Sequence, residues 1–243
     1  MSAPVVLPVG DTAVSVEFGG AIDRAINARV MAFDEAVRAA MAAGALPGAI
    51  ETVPTFRALM VHYDPLAADF EALARALLAL VPEGPSAART GRRWRLPVAY
   101  GGEGGPDLED VAATTGLAAD EVVRRHTAGE YFVYMMGFLP GFAFMGDVAP
   151  PLALKRRARP RTRIRPGSVG IAVGLTGVYP LESPGGWHLL GHTPVLLWDT
   201  RREPMALFRP GDTVTFAAVG QDEHDAIAAR VAAGTWRAEE ALA

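Results

Sequence analysis

Cysteine is absent from the 243-residue sequence. Disulfides, thiolate nucleophiles and thiolate metal sites are therefore excluded, and this composition suits a reducing compartment. Long apolar runs are missing too, because no segment approaches the roughly 20 apolar residues of a membrane-spanning helix. Residues 1–18 carry no basic region followed by an apolar stretch, as a signal peptide would. We predict a cytoplasmic protein with no membrane partner.

An excess of positive charge is also lacking. The chain has 23 Lys and Arg against 27 Asp and Glu, which gives a formal net charge of −4. This balance gives no general electrostatic reason to bind nucleic acid, and we predict no nucleic-acid partner. Hydrophobic residues make up 50% of the chain and charged residues 21%. That composition and length predict a globular protein, with two domains favoured over one.

The first 92 residues alternate between strand and helix patterns. Val14, Val16 and Phe18 alternate as in a half-buried strand, and apolar residues then recur at helical spacing over residues 22–41. A second extended run at residues 55–65 precedes a second helical stripe at residues 70–80, and a strand pattern follows at residues 92–100. We predict a small α/β sandwich domain over residues 1–92, with its helices on one face of a sheet.

Residues 93–243 have a different texture. A glycine-rich loop at residues 101–106 leads into two predicted short helices within residues 107–129. Short β-rich segments separated by Pro-Gly pairs and single glycines follow from Tyr131 onward, and a closing helix is predicted at residues 222–233. This pattern predicts a compact β-barrel or sandwich domain over residues 93–243, with a helical insertion.

Familiar catalytic motifs are absent. The sequence has no GxxxxGK phosphate loop, no GxGxxG after a strand, no HExxH and no GxSxG. His188 and His192 have the spacing of two metal ligands on a helix, but the neighbouring glycines and Pro194 argue against a helix there. On a strand, four residues span roughly 13 Å, which is too far for two imidazoles to share one ion without a sharp bend. We predict no metal site.

Arginine recurs at every second position from Arg159 to Arg165 within the run KRRARPRTRIRPGS. An extended backbone would place these guanidinium groups on one face, where they could bind carboxylates or phosphates. The alternative is a solvated basic edge that prevents strand pairing. Spacing alone favours the solvated edge and leaves the anion-binding face open.

Glycine and aromatic residues are dense between positions 138 and 187. Four glycines in PGSVGIAVGLTGVYP fit either a sharply curved barrel or close approach of backbone to a ligand. Phe138, Phe142, Phe144 and Trp187 fit either core packing or the walls of an apolar pocket. His126 lies near the end of a predicted helix, where a capping role competes with catalysis.

Four ordered blocks carry a resemblance to a known family. The sequence resembles the family of the 5-oxoprolinase B subunit, also called the allophanate hydrolase subunit 1 or kinase A inhibitor family, in PVAYGGEGGPDLEDVAATTGL, RRHTAGEYFVYMMGFLPGFAFMG, PRTRIRPGSVGIAVGLTGVYPLESPGGWHLLGHTP and PGDTVTF. The resemblance implies an α+β protein in which an N-terminal α/β domain precedes a cyclophilin-like β-barrel. It covers essentially the whole chain.

The same resemblance implies an activity. Members of the family act with a homologous C subunit and, in 5-oxoprolinase, with an A subunit as well, in an assembly that uses ATP to open the lactam of 5-oxoproline and release glutamate. We therefore expect a small-molecule substrate, ATP and magnesium as cofactors, and the A and C subunits as partners. Two alternatives stay open. One is a carboxyltransferase component that acts on a urea-like amide, and the other is an inhibitor of a histidine kinase.

Candidate site residues follow from this resemblance. His126 is expected to donate or accept a proton, and Arg163 to act in catalysis by binding an anion. Residues expected to contact substrate are Arg161, Thr176, Tyr179, Ser183, Gly185, Gly186, Trp187 and His192. The chain also departs from the expected family pattern, because Val173, Leu175 and His192 stand where Gly, Gln and Arg would be typical. Leu175 lacks the hydrogen-bond donor and acceptor of the expected glutamine, and His192 lacks the permanent, two-pronged cation of the expected arginine.

Overall fold

A computed structural model describes residues 3–84 and 90–243. The chain divides into two compact units, Met1–Arg89 and Thr90–Ala243. Helices and strands are mixed in the chain, and a closed barrel forms in the second unit. The predicted α+β class is therefore confirmed. The predicted domain boundary between residues 92 and 93 stays a prediction. No helix in the described ranges is long and apolar enough to cross a membrane.

The first unit is a four-stranded antiparallel sheet with two helices. Its elements are β1 (Val5–Val9), β2 (Ala13–Glu17), α1 (Arg24–Ala42), β3 (Ala49–Pro54), β4 (Ala58–Tyr63) and α2 (Phe70–Ala79). The strand order is β1-β2-β4-β3. The sequence patterns did not indicate β1 or β3. Proline at position 8 and a register shift in β3 between Ala49 and Glu51 obscure their alternation.

Aspartate side chains begin both helices of this unit. Asp23 accepts hydrogen bonds from the backbone N–H groups of Ala25 and Ile26, and Asp69 accepts one from Ala72. Both helices pack on one face of the sheet, because a single buried cluster contains Val14, Val16, Phe18, Leu59, Val61 and Tyr63 from the strand side and Val30, Phe33, Val37, Leu73 and Leu77 from the helices. This arrangement is the predicted sandwich.

The second unit combines a closed β-barrel with α-helices. Its elements are β5 (Arg93–Tyr100), α3 (Leu108–Thr115), α4 (Ala119–Thr127), β6 (Tyr131–Met136), β7 (Ala143–Met145), β8 (Arg161–Ile164), β9 (Ser168–Ala172), β10 (Leu175–Val178), β11 (Ser183–Gly185), β12 (His188–His192), β13 (Thr213–Ala218) and α5 (Gln221–Ala232). Seven strands close in the order β10-β7-β6-β13-β5-β12-β9, and β8 pairs with β11 in a separate ribbon. Short 3-10 turns lie at Pro150–Leu152 and Ala238–Ala241.

Alternate residues of β5 fill the barrel core. Trp94, Leu96 and Val98 are essentially inaccessible to solvent. The indole N–H of Trp94 donates to a carboxylate oxygen of buried Asp212 at 2.8 Å, and the other oxygen of Asp212 accepts from the backbone N–H of Arg92. Because the buried carboxylate of Asp212 is hydrogen-bonded to the indole of Trp94 and to the backbone of Arg92, β5 is fixed beside β13.

The turn between β9 and β10 contains backbone strain. Ala172 pairs with Leu175, and both intervening residues have positive φ, +48° at Val173 and +76° at Gly174. A two-residue hairpin turn of this kind suits glycine or asparagine, whereas a β-branched side chain in the left-handed region is strained. The Val173 side chain is half exposed, so burial compensates for little of this strain.

We predict that Val173→Gly raises the free energy of unfolding by about 1 kcal/mol, because it removes the left-handed strain of valine. All four tryptophans lie in the second unit, so urea unfolding followed by tryptophan fluorescence reports on the correct unit. Ala172→Gly, in regular strand β9, is the control and is expected to destabilise. An unchanged or lowered stability of Val173→Gly would contradict the assignment of strain.

Candidate functional site

A small cavity opens beside the glycine turn that follows β11. Its volume is about 230 Å³, and aromatic side chains form most of its walls. We call it the aromatic pocket, and its lining residues are Phe138, Phe142, Phe144, Arg156, Pro160, Tyr179, Pro184, Gly185, Gly186 and Trp187. The pocket thus brings together four of the residues predicted to contact substrate: Tyr179, Gly185, Gly186 and Trp187.

Phe142 lies at the centre of the pocket wall. Its ring meets those of Phe138, Tyr179 and Trp187 edge to face, with centroid distances of 5.6, 5.3 and 5.6 Å. Such pairs contribute about 0.5–1.5 kcal/mol each beyond the burial of their area. Phe142, Tyr179 and Trp187 are themselves almost fully buried, so these walls are held by packing.

Glycine is required at one position of the turn. A Cβ built on Gly185 would lie 2.4 Å from the hydroxyl oxygen of Tyr179, so any side chain there would clash with a buried ring. The same hydroxyl accepts a hydrogen bond from the backbone N–H of Trp187. Burial raises the pKa of Tyr179 to about 12, against the opposing effects of that hydrogen bond and of the nearby Arg156 and Arg161 charges. The phenol therefore keeps its proton at neutral pH.

The pocket rim carries a strained residue. Phe138 has a φ of +68°, although it is neither glycine nor asparagine, and its side chain is 60% exposed. A bulky residue in the left-handed region costs free energy, and such strain is found preferentially at functional sites. An exposed, strained aromatic side chain at the mouth of a preformed cavity is a reason to regard the cavity as a binding site.

One buried carboxylate organises the arginine run. Asp107, immediately before α3, is 1% exposed and accepts hydrogen bonds from Arg157 at 2.5 Å, from both terminal nitrogens of Arg161 at 2.8 Å, and from the Leu189 backbone N–H at 2.8 Å. We call this group the Asp107 clamp. Burial by itself would raise the pKa of Asp107, but the hydrogen bonds from Arg161 and Leu189 and the charges of both arginines lower it below its ordinary value.

The Asp107 clamp is joined to the aromatic pocket through the backbone. The N–H of Arg157 donates to the carbonyl of Gly186 at 2.8 Å, and Gly185 pairs with Arg161 in the β8–β11 ribbon. The carboxylate therefore fixes the chain segment that contains Arg156 against the glycine turn. Arg163 lies outside this arrangement, since it is exposed and pairs with exposed Glu182 at 2.8 Å.

His126, on α4, is buried against side chains of β5, β10 and β13, and none of its partners lines the aromatic pocket. It is fully buried, its ring stacks on Phe216, and its Nδ1 and Nε2 lie 2.7 Å from the Tyr100 hydroxyl and 3.0 Å from the Thr176 hydroxyl. Because Thr176 donates its own proton to the Gly170 carbonyl, its oxygen accepts from His126 Nε2–H, and Tyr100 donates to Nδ1. Burial lowers the pKa of His126 to about 3, so the imidazole is neutral. A catalytic role for His126 and substrate contact by Thr176 stay predictions.

The other predicted residues lie in separate surroundings. The Ser183 hydroxyl is buried with no hydrogen-bond partner among the described residues. His192 Nδ1 lies 2.8 Å from His224 Nε2 on α5, and its Nε2 donates to the Pro166 carbonyl. Burial, with the charges of Arg165 and His224, lowers the pKa of His192 to about 4. His188 donates instead to the Lys155 carbonyl, so the two histidines of β12 have different partners.

Comparison with known proteins shows the family to which the chain belongs. Residues 4–208 match the family described as the carboxyltransferase domain, subdomain C and D, and the chain belongs to that family. It is 39% identical over 229 residues to the B subunit of 5-oxoprolinase from Bacillus subtilis strain 168, a match that covers 90% of this chain and 94% of that protein. These findings confirm the resemblance found in the sequence.

Solved structures support the same fold. The crystal structure of TTHA0988 matches with a TM-score of 0.72 and 38% identity over 86% of this chain. This chain spans only 40% of the length of that one. The urea carboxylase of Kluyveromyces lactis matches with a TM-score of 0.82 over 96% of this chain and 23% of its own, and at 20% identity the likeness concerns the fold alone.

We predict that Asp107→Asn lowers the free energy of unfolding at neutral pH by about 2–3 kcal/mol, because two guanidinium groups lose their shared carboxylate. The folded-state pKa of Asp107 is depressed, so this stabilisation is present above the ordinary carboxyl pKa and is lost as the pH falls below about 4. Tryptophan-monitored urea unfolding at pH 7 and pH 3 measures both effects.

The matched control is Glu182→Gln, which breaks the exposed pair with Arg163 and should change stability by less than about 0.5 kcal/mol. Equal losses in the two variants, or a loss in Asp107→Asn that persists undiminished at pH 3, would contradict a buried clamp.

Proposed function

We propose that this chain is the B subunit of a 5-oxoprolinase and that it opens 5-oxoproline to glutamate together with the A and C subunits. Support comes from the relative of that name, which matches over nearly its whole length. The proposal is assigned to a site on one observation: the aromatic pocket is a preformed cavity, and Tyr179, Gly185, Gly186 and Trp187 of its lining belong to one of the blocks that resemble the family.

The size and lining of the pocket suit this substrate. Its volume of about 230 Å³ lies below the roughly 300–1,000 Å³ of sites for drug-sized ligands, so a single small ring fits better than an extended molecule. The aromatic walls provide apolar surface for ring methylenes. The Tyr179 hydroxyl, which keeps its proton, and the backbone at Gly185 and Gly186 provide polar groups beside the ring.

The predicted site residues have different proposed roles, according to whether they line the aromatic pocket. We propose direct substrate contact for Tyr179, Gly185, Gly186 and Trp187. Arg161 acts as a positioning residue through Asp107, because both of its terminal nitrogens are already hydrogen-bonded there. Contacts by Thr176, Ser183 and His192, and the catalytic roles of His126 and Arg163, belong to the proposal only as positions to test in the assembled enzyme.

ATP and magnesium are proposed as cofactors of the assembly. A five-membered lactam is an unreactive amide, and phosphorylation of its oxygen creates a leaving group and weakens the amide resonance. In residues 3–84 and 90–243, no three or more His, Asp or Glu side chains are grouped to hold a metal ion.

The experiment is reconstitution with the cognate A and C subunits, ATP, magnesium and 5-oxoproline, with each component omitted in turn. Release of glutamate and ADP that requires this chain supports the proposal. A stable, complete assembly that releases no glutamate overturns it. Turnover of a urea-like amide by a complex with a biotinylated partner would instead support the carboxyltransferase alternative.

We predict that Phe138→Ala raises the KM for 5-oxoproline about five- to twentyfold in the assembled enzyme, because it removes an exposed wall of the pocket but little buried core. Initial rates of glutamate release against 5-oxoproline concentration measure this change. Leu66→Ala, a fully exposed apolar position in the first unit, is the control and should leave KM unchanged. An unaltered KM in Phe138→Ala would remove the pocket rim from the substrate site.

A further inference from the structure

We propose that Arg156 makes the aromatic pocket selective for small cyclic carboxylates, by binding the carboxylate at the pocket mouth while the ring lies against Phe138, Phe142 and Trp187. The inference rests on the proposed function only for the identity of the natural substrate. It names a specificity residue that the alternating arginine pattern did not indicate.

Arg156 combines two properties: its side chain lines the aromatic pocket, and it has no acidic partner among the described residues. Arg157 and Arg161 bind Asp107, and Arg163 pairs with Glu182. Among residues 3–84 and 90–243, no carboxylate lies within ion-pairing distance of the Arg156 guanidinium, although its side chain lines the pocket. A cation at the edge of an apolar cavity attracts an anionic ligand whose remaining surface is apolar.

The position of Arg156 is fixed by the residues around it. Its Cβ lies 3.9 Å from the point that a Cβ on Gly186 would occupy, and the next residue, Arg157, is tied both to the Gly186 carbonyl and to Asp107. The side chain of Arg156 lines the pocket together with Tyr179, and its charge acts to lower the pKa of the Tyr179 hydroxyl. Anchoring of the backbone reduces the freedom that the side chain loses when it binds a ligand.

Guanidinium and carboxylate are geometrically matched. The planar fork of arginine can donate two parallel hydrogen bonds to the two oxygens of a carboxylate, which a single ammonium group cannot do. Across the turn, Pro160 lies 3.7 Å from the Cβ position of Gly186 and adds apolar surface opposite the aromatic rings. A ring that carries a carboxylate satisfies both parts of the site, whereas the neutral lactam pyrrolidinone satisfies only the apolar part.

The test uses the full chain and three probes: 5-oxoproline, cyclopentanecarboxylate and pyrrolidinone. Dissociation constants are measured by titration, with tryptophan fluorescence and ligand-observed NMR as readouts. We expect both carboxylates to bind more tightly than pyrrolidinone. Arg156→Gln should weaken the two carboxylates about tenfold or more and leave pyrrolidinone unchanged. Arg156→Lys should lie between, because it keeps the charge but not the fork.

The matched control is Lys155→Gln, which removes the adjacent exposed positive charge without altering the pocket lining. Equal weakening in Lys155→Gln and Arg156→Gln would indicate a diffuse charge effect and overturn the proposal. Equal affinity of the wild type and Arg156→Gln for the carboxylates would also overturn the proposal. A third contradicting result would be a wild-type chain that binds none of the probes, together with an Arg156→Gln variant whose assembled enzyme keeps the wild-type KM.

The assembled enzyme separates this inference from the proposed function. In active assemblies, Arg156→Gln should raise the KM for 5-oxoproline about tenfold with a smaller change in kcat. Carboxylate binding that depends on Arg156, in a chain whose complete assembly releases no glutamate, would support the carboxylate site and overturn the oxoprolinase function. Glutamate release that depends on this chain but not on Arg156 would support the oxoprolinase function and overturn the carboxylate site.

Discussion

The carboxylate of Asp107 is the interaction on which the candidate site depends. It joins three parts of the second unit that are distant in sequence, because it precedes α3, binds the backbone of β12 at Leu189, and holds Arg157 and Arg161 from the arginine run. The backbone N–H of Arg157 then holds the Gly186 carbonyl at the pocket. Without this carboxylate, two neighbouring guanidinium groups would be left without their shared anion, and only backbone pairing and the His188 contact would hold the segment against the pocket.

The clamp separates the arginines by function. Two cations share one anion inside the fold, a third pairs with a carboxylate at the surface, and Arg156 faces the pocket with no acidic partner among the described residues. A buried ion pair is weak evidence for stability, since desolvation offsets much of its attraction, and its value here is geometric. The clamp fixes where the Arg156 charge lies relative to the aromatic walls. The neutral His126 network within the barrel adds rigidity of the same kind, because both ring nitrogens are satisfied.

Local patterns predicted most of the fold, because apolar spacing records which face of an element is buried. They failed at β1, where Pro8 interrupts the alternation on an exposed edge. Substrate contact by Gly185 was predicted from the family resemblance. Only the structure shows that a side chain at this position would clash with the Tyr179 hydroxyl. The partnership of Arg161 with Asp107 spans 54 residues, and an ion pair between such distant positions leaves no periodic signal. For the same reason, the sequence did not indicate that His126 is buried, because its partners Tyr100 and Thr176 lie 26 and 50 residues away.

The central claim is that the aromatic pocket, held by the Asp107 clamp, receives the ring of a small carboxylate. Intermolecular NOEs between carbon-13-labelled 5-oxoproline and the full chain test it most directly. The account predicts NOEs from the ring methylenes to the aromatic protons of Phe138, Phe142 and Trp187, and their loss in Asp107→Asn under conditions where that variant is folded. Saturable binding with NOEs to another part of the chain, or with none to these rings, would contradict it.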